Sequence, residues 1–253
     1  MNRKIFLSFP LVFMAMASNS FADTPAFDRP GISFSTTTIP PGSFSFEQGL
    51  LDFQHSSSDN VKNILYSTTT NLRTGLSKNL ELQVNTAPLN YLKVETPDVS
   101  YSINGYGDSS IAIKMTQPPF SRTLSWAILG GVTFAIGDAP FSEEATQYDL
   151  GTTINIDLNE TFSTAFYINL THSNSQSTYT FSPSLGFAAT DIIGMYVEAG
   201  IKNTTQNLHN AVVGGGITWM ITPIMQLDIS ANLGLNRKNT DIQGGFGISV
   251  FIE

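Results

Sequence analysis

Residues 123–137 read Thr-Leu-Ser-Trp-Ala-Ile-Leu-Gly-Gly-Val-Thr-Phe-Ala-Ile-Gly. Leu124, Trp126, Ile128, Gly130, Val132, Phe134 and Ile136 share one parity, and Ser125, Ala127, Leu129, Gly131, Thr133 and Ala135 share the other. A β-strand sends successive side chains to opposite faces, so this stretch predicts a strand with one strongly apolar face and one small, mostly polar face. Leu80, Leu82 and Val84 oppose Glu81, Gln83 and Asn85 in the same way, and Ile111, Ile113 and Met115 oppose Ala112, Lys114 and Thr116. Near the end of the chain, Phe246, Ile248, Val250 and Ile252 oppose Gly245, Gly247, Ser249 and Phe251.

Counting outward from residues 123–137, alternation predicts about twelve strands, over 43–54, 62–77, 79–88, 107–117, 123–137, 147–158, 161–172, 177–189, 193–202, 210–221, 226–236 and 243–252. Most reach the ~9–11 residues that a tilted strand needs to cross a bilayer. Short links (Lys78, Pro118-Pro119, Asn159-Glu160, 190–192, Thr222-Pro223) alternate with longer polar ones (55–61, 89–106, 138–146, 173–176, 203–209, 237–242). Short turns on one side and long loops on the other are the habit of transmembrane barrels. A soluble sandwich or closed barrel is the competing reading, but its polar face would carry many Lys and Glu. Here that face is Ser, Thr, Asn, Gly and Ala, which suits a narrow lumen. Tyr66, Tyr148, Tyr179 and Trp219 stand near strand ends, as interfacial aromatic residues do. The expected fold is therefore an all-β, antiparallel transmembrane barrel of about twelve strands, which leaves no strand edge unpaired in lipid.

Composition agrees. Of 253 residues, 41% are apolar and only 13% are charged, against the high charge of disordered chains. Arg3 and Lys4 precede an apolar run, Ile5–Ala17, and Ser20-Phe21-Ala22 places small residues before Asp23. This is the layout of a secretory signal cleaved near Ala22. The run is too short to cross a ~30 Å hydrocarbon core as a helix. Residues 23–253 carry ten basic and twenty acidic side chains, a poor match for a nucleic acid backbone. There is no cysteine, and His55, His172 and His209 lie far apart, so no metal site or cofactor is expected. Residues 23–42 hold Pro25, Pro30, Pro40 and Pro41, which block ladder pairing. They are expected either in the periplasm or as a lumen plug, with Asp28 and Arg29 meeting lumen charges.

A charge facing lipid near the midplane costs ~2–4 kcal/mol, so charged strand residues are expected to face the lumen. These are Arg73, Glu81, Lys114, Asp149, Asp157, Glu198 and Asp228, either a salt-bridge cluster filling the lumen or a selectivity zone. Acids outnumber bases among them, so any pore is expected to prefer cations mildly. Catalysis would need a nucleophile, a base and an orienting group within reach of one another. His55-Ser56-Ser57 and His172-Ser173-Asn174 are the candidates for a lipid hydrolase, and no enzyme activity is expected from them. Glu143-Glu144 reads as a solvated loop pair. Gly130-Gly131 and Gly214-Gly215-Gly216 read as bends or lumen space, since no helix comes after them to make a phosphate cradle.

Six stretches stand in order along the chain: Asp28-Arg29-Pro30-Gly31, Pro40-Pro41-Gly42 with Glu47, Leu72–Leu82, Gly105-Tyr106-Gly107-Asp108 with Lys114, Tyr196-Val197-Glu198 and Gln226-Leu227-Asp228. Together they resemble a family of Gram-negative outer-membrane proteins labelled as transporters of the meta-pathway of phenol degradation. Outer-membrane barrels commonly end in an aromatic residue, and Glu253 departs from that. The resemblance implies an outer-membrane barrel with a transport role. It brings lipid, an unspecified small-molecule cargo (hydrophobic or aromatic) and the barrel-assembly machinery as partners. A closed structural or surface-binding barrel is the alternative.

Overall fold

The computed structural model describes residues 26–253 apart from 59, 118–120, 122, 144, 175, 206–208 and 237–239. The expected signal, the Pro118-Pro119 turn and Glu144 lie outside the described residues. Thirteen strand segments succeed one another: Phe44–Ser58 (β1), Val61–Ser77 (β2), Leu80–Glu95 (β3), Ser100–Gly105 (β4), Ser109–Thr116 (β5), Leu124–Phe134 (β6), Gln147–Asp157 (β7), Phe162–Ser173 (β8), Gln176–Ala188 (β9), Ile193–Thr204 (β10), His209–Thr222 (β11), Met225–Gly234 (β12) and Ile242–Ile252 (β13). All pairings are antiparallel. β1 pairs with β13, and β2 pairs with both β1 and β3, so the sheet closes on itself. β4 and β5 both lie against β3, the first along its far half and the second along its near half. They form one barrel strand interrupted at 106–108, and thirteen segments make a closed barrel of twelve.

Two expectations need correction. Residues 89–106 are not a long polar link, because β3 runs on to Glu95 and turns back tightly into β4. The reason is a slip in phase. Leu82 and Val84 face out on even numbers, but beyond an irregularity near Thr86–Leu89 the exposed residues are Leu89 and Tyr91, while Asn90 is buried. A bulge shifts the alternation by one residue, so a two-residue period cannot be read across it. The alternation of short and long links also weakens, since β1 and β2, and β8 and β9, extend until only two residues separate them. The link after β6, 135–146, stays long.

The wall is inside-out relative to a soluble protein. Leu72, Ile113, Leu150, Ile168, Val197, Ile229 and many more aliphatic residues are exposed on the outer face. Ser45, Glu47, Arg73, Glu81, Gln83, Lys114, Thr153, Ser182, Glu198, Asp228 and Ser249 are buried within. An apolar belt this continuous is stable only against lipid. Tyr66, Tyr148 and Tyr179 are exposed toward the end of the barrel away from the start of β1, and Trp219 toward the other.

Candidate functional site: the lumen and residues 26–42

Residues 26–42 run inside the barrel, entering at the end where β1 begins and β13 finishes. The loop is tied to itself: Ala26 N donates to Thr37 Oγ1 at 3.2 Å and Ser35 N to Asp28 Oδ1 at 2.8 Å. Its turn passes through Gly31 at φ 120°, a conformation that costs a side-chain-bearing residue strain. Phe27 and Ile39, one from each limb, pack with Phe251 and Met220 into a small apolar cluster. The remaining contacts are polar and fall into three groups.

The first group surrounds Arg73. Its Nη1 donates to Glu47 Oε1 at 2.6 Å and to Ala26 O at 3.2 Å, and its Nε to Glu81 Oε1 at 2.8 Å. Lys114 Nζ lies 2.8 Å from Asp28 Oδ1 and 3.3 Å from Glu81 Oε1. Gln83 Nε2 donates to Asp28 Oδ2 at 2.8 Å. The N–H groups of Arg29 and Ile39 donate to Glu47 and Glu81, at 2.9 and 2.7 Å. Sheet register brings these residues together: Glu81 faces Lys114 across β3 and β5, and Arg73 faces Gln83 across β2 and β3. Burial pushes the Asp28 carboxyl up, but the Arg73 guanidinium and the Lys114 ammonium together hold it well below the usual carboxylate range. Buried charges offset their desolvation only when paired and hydrogen-bonded, and here each carboxylate faces a cation and accepts hydrogen bonds.

The second group surrounds Arg29, which reaches from the loop to Asp52 at 3.1 Å and Asp228 at 3.2 Å, and donates to Thr69 Oγ1 at 3.1 Å. Thr69 in turn donates to Asp52. Gly247 faces Asp228 across β12 and β13, and a Cβ at 247 would run into the guanidinium. The third group is smaller. Glu198 accepts from Ile32 N at 2.9 Å and from Asn232 Nδ2 at 3.1 Å. Gly214 lies between them, paired with Glu198 on one side and Asn232 on the other, and its missing side chain lets the amide reach across.

Of the residues singled out in the sequence, the barrel gathers Arg73, Glu81, Lys114, Glu198 and Asp228 around Asp28 and Arg29. It does not bring Asp149 or Asp157 into these groups. Asp149 accepts from Thr171 at 2.6 Å, and the exposed Asp157 accepts from Asn155 at 2.9 Å. Sequence reasoning passed over Glu47, Asp52, Gln83 and Asn232 as site residues. The signal for the two acids was present, since a carboxylate in a barrel strand must face inward. The bulge between Gly49 and Leu51 hides it by turning even-numbered Asp52 to the side of odd-numbered Glu47.

The Gly105–Asp108 stretch has a separate task. Asp108 accepts from Ile136 N, Gly137 N, Ser142 Oγ and Glu143 N, at 2.7 to 3.0 Å, and so pins the link between β6 and β7 to the break between β4 and β5. His172 meets Ser177, with Nδ1 and Oγ 3.1 Å apart, rather than Ser173, and His55 lies 3.5 Å from Asp241. No cluster of three or more His, Asp or Glu able to hold a metal ion occurs among the described residues.

The loop does not fill the barrel. A cavity of about 310 Å³ borders Arg29, Asp52, Glu198 and Asn232, and one of about 340 Å³ borders Asp28, Glu47, Asn85 and Asp108. A third, of about 420 Å³, is lined by Phe34 and Thr36 of the loop and by Ser125, Thr153 and Asn155 of the wall.

A closed twelve-stranded barrel with an apolar exterior and a charged, partly filled lumen is an outer-membrane β-barrel. Residues 27–251 match the family described as "Putative MetA-pathway of phenol degradation", and the chain belongs to that family. Its fold is similar to that of an outer-membrane channel from Pseudomonas putida F1, with a TM-score of 0.69 at 13% identity, covering 88% of this chain and 100% of that one. It is also similar to the KdgM porin, with a TM-score of 0.54 at 8% identity, covering 83% and 98%. No curated protein matches the chain in sequence.

Proposed function

We propose that the protein lets small molecules cross the outer membrane, and that residues 26–42 are the plug that governs the passage. The observation carrying this reading is how the loop is attached. Its contacts are chiefly hydrogen bonds and ion pairs to polar wall residues, with cavities on more than one side of it. A loop seated in this way can shift within an aqueous lumen, whereas a dry, close-packed core cannot. Family membership supports a small apolar or aromatic cargo. The lumen charges are then chiefly structural, keeping the plug in register. We read the chain as non-enzymatic, which the likeness of its fold to an outer-membrane channel and a porin supports.

The density of ion pairs favours a resting state that is narrow, and this gives the closed structural barrel its strongest support. Planar-bilayer recordings separate the two readings. The folded mature protein is expected to give small discrete steps, and a variant lacking 24–40 is expected to give larger ones. Equal conductance from both would remove the plug, and silence from both would leave the closed barrel.

A further inference from the structure

We infer that Glu198 makes the lumen selective for cations. The inference rests on the channel function proposed for this barrel. It comes from the charge balance of the three groups around the loop. Arg29, Arg73 and Lys114 face six carboxylates: Asp28, Glu47, Asp52, Glu81, Glu198 and Asp228. Five of those acids lie in ion pairs with one of the three cations. Among the described residues, Glu198 does not. Its side chain is buried, with the residue only 4% exposed, and its partners are a backbone N–H and a side-chain amide, both neutral.

The surroundings of Glu198 supply neutral donors but no cation of its own. Asn232 is 7% exposed, gives its Nδ2 to Glu198, and leaves its Oδ1 without a hydrogen-bond partner among the described residues. Both residues line the cavity of about 310 Å³, together with Asp52, Ser230 and Gln243. Arg29, on the same cavity, is already committed to Asp52 and Asp228. An uncompensated carboxylate beside the tip of the loop therefore acts on whatever passes between loop and wall. In a narrow space with low-dielectric walls, such a charge concentrates counter-ions and repels ions of its own sign. Cations and neutral molecules are admitted, and organic acids in their anionic form are disfavoured.

The test is the reversal potential of the full mature protein in a planar bilayer across a potassium chloride gradient. We expect potassium to be favoured over chloride by about tenfold, the lower end of such focusing. Glu198→Gln, confirmed as folded by its heat-dependent gel shift, is expected to lower the ratio by about threefold, and Glu198→Asp to keep it. Ser230→Asp adds a carboxylate to the same cavity and is expected to raise the ratio, which keeps the test open even if Glu198→Gln fails to fold. Asp98→Asn, in the exposed β3–β4 turn, is expected to leave it unchanged. Discrete steps with no cation preference, or a preference that Glu198→Gln leaves unchanged, overturn this inference and leave the channel reading intact. Absence of steps in the folded protein and in the variant lacking 24–40 overturns both.

Discussion

The two sides of the lumen treat the N-terminal loop differently. On one side, β1, β2, β3, β5 and β12 grip it through Glu47, Asp52, Arg73, Glu81, Lys114 and Asp228. On the other, β6–β8 offer hydroxyls, amides and one ring. Thr36 shares a 2.8 Å hydrogen bond with Ser125, and Phe34 meets Tyr167 edge to face at 5.6 Å. The cavity of about 420 Å³ lies along this second side. The charged side fixes where the loop sits, and the uncharged side leaves it room. Movement that widens the lumen should therefore begin along β6–β8, with the ion pairs of β1–β5 acting as the hinge.

The largest effect should come from breaking the charged side. Arg73→Ala leaves Glu47 buried without its cation, and Glu81 with Lys114 alone, and should destabilise the barrel by about 3–5 kcal/mol. Denaturant midpoints, read from the fluorescence of Trp126 and Trp219 in detergent, would check this, and an unchanged midpoint would show that the grip contributes little. Gly247→Val should act on the same side by displacing the Arg29 guanidinium, raising conductance while the barrel still runs as a folded band. If conductance stays at the wild-type level, Arg29 is not a restraint on the loop.

The other side should respond weakly. Phe34→Ala removes a ring contact of about 0.5–1.5 kcal/mol beyond the area it covers, and should broaden the distribution of conductance steps more than it lowers stability. Ser125→Ala removes one hydroxyl bond and should cost at most about 1 kcal/mol. A loss in Ser125→Ala as large as that in Arg73→Ala would abolish the distinction between the two sides.

Much of the architecture is legible in the sequence because lipid enforces a simple rule. Each strand must show one apolar face outward, so parity alone assigns Leu80, Leu82 and Val84 to the exterior and Glu81 and Gln83 to the lumen. The rule also turns Arg73, Lys114, Glu198 and Asp228 inward, since lipid penalises the alternative. It fails where the period breaks, at Thr86–Leu89 and at Gly49–Leu51, and it misses Asp52 and strand β4 for that reason.

Sequence alone therefore defines most of the strands, the two faces of each, and the compartment such a surface requires. These come from local alternation, which carries its information within a few residues. Which charges meet is a matter of tertiary structure. Arg29 and Asp228 are 199 positions apart, and Lys114 and Asp28 are 86. Their pairing depends on register across several strands and on the path of a loop that belongs to no strand. The carboxylate left without a cation, Glu198, can be recognised only once all the others have found theirs.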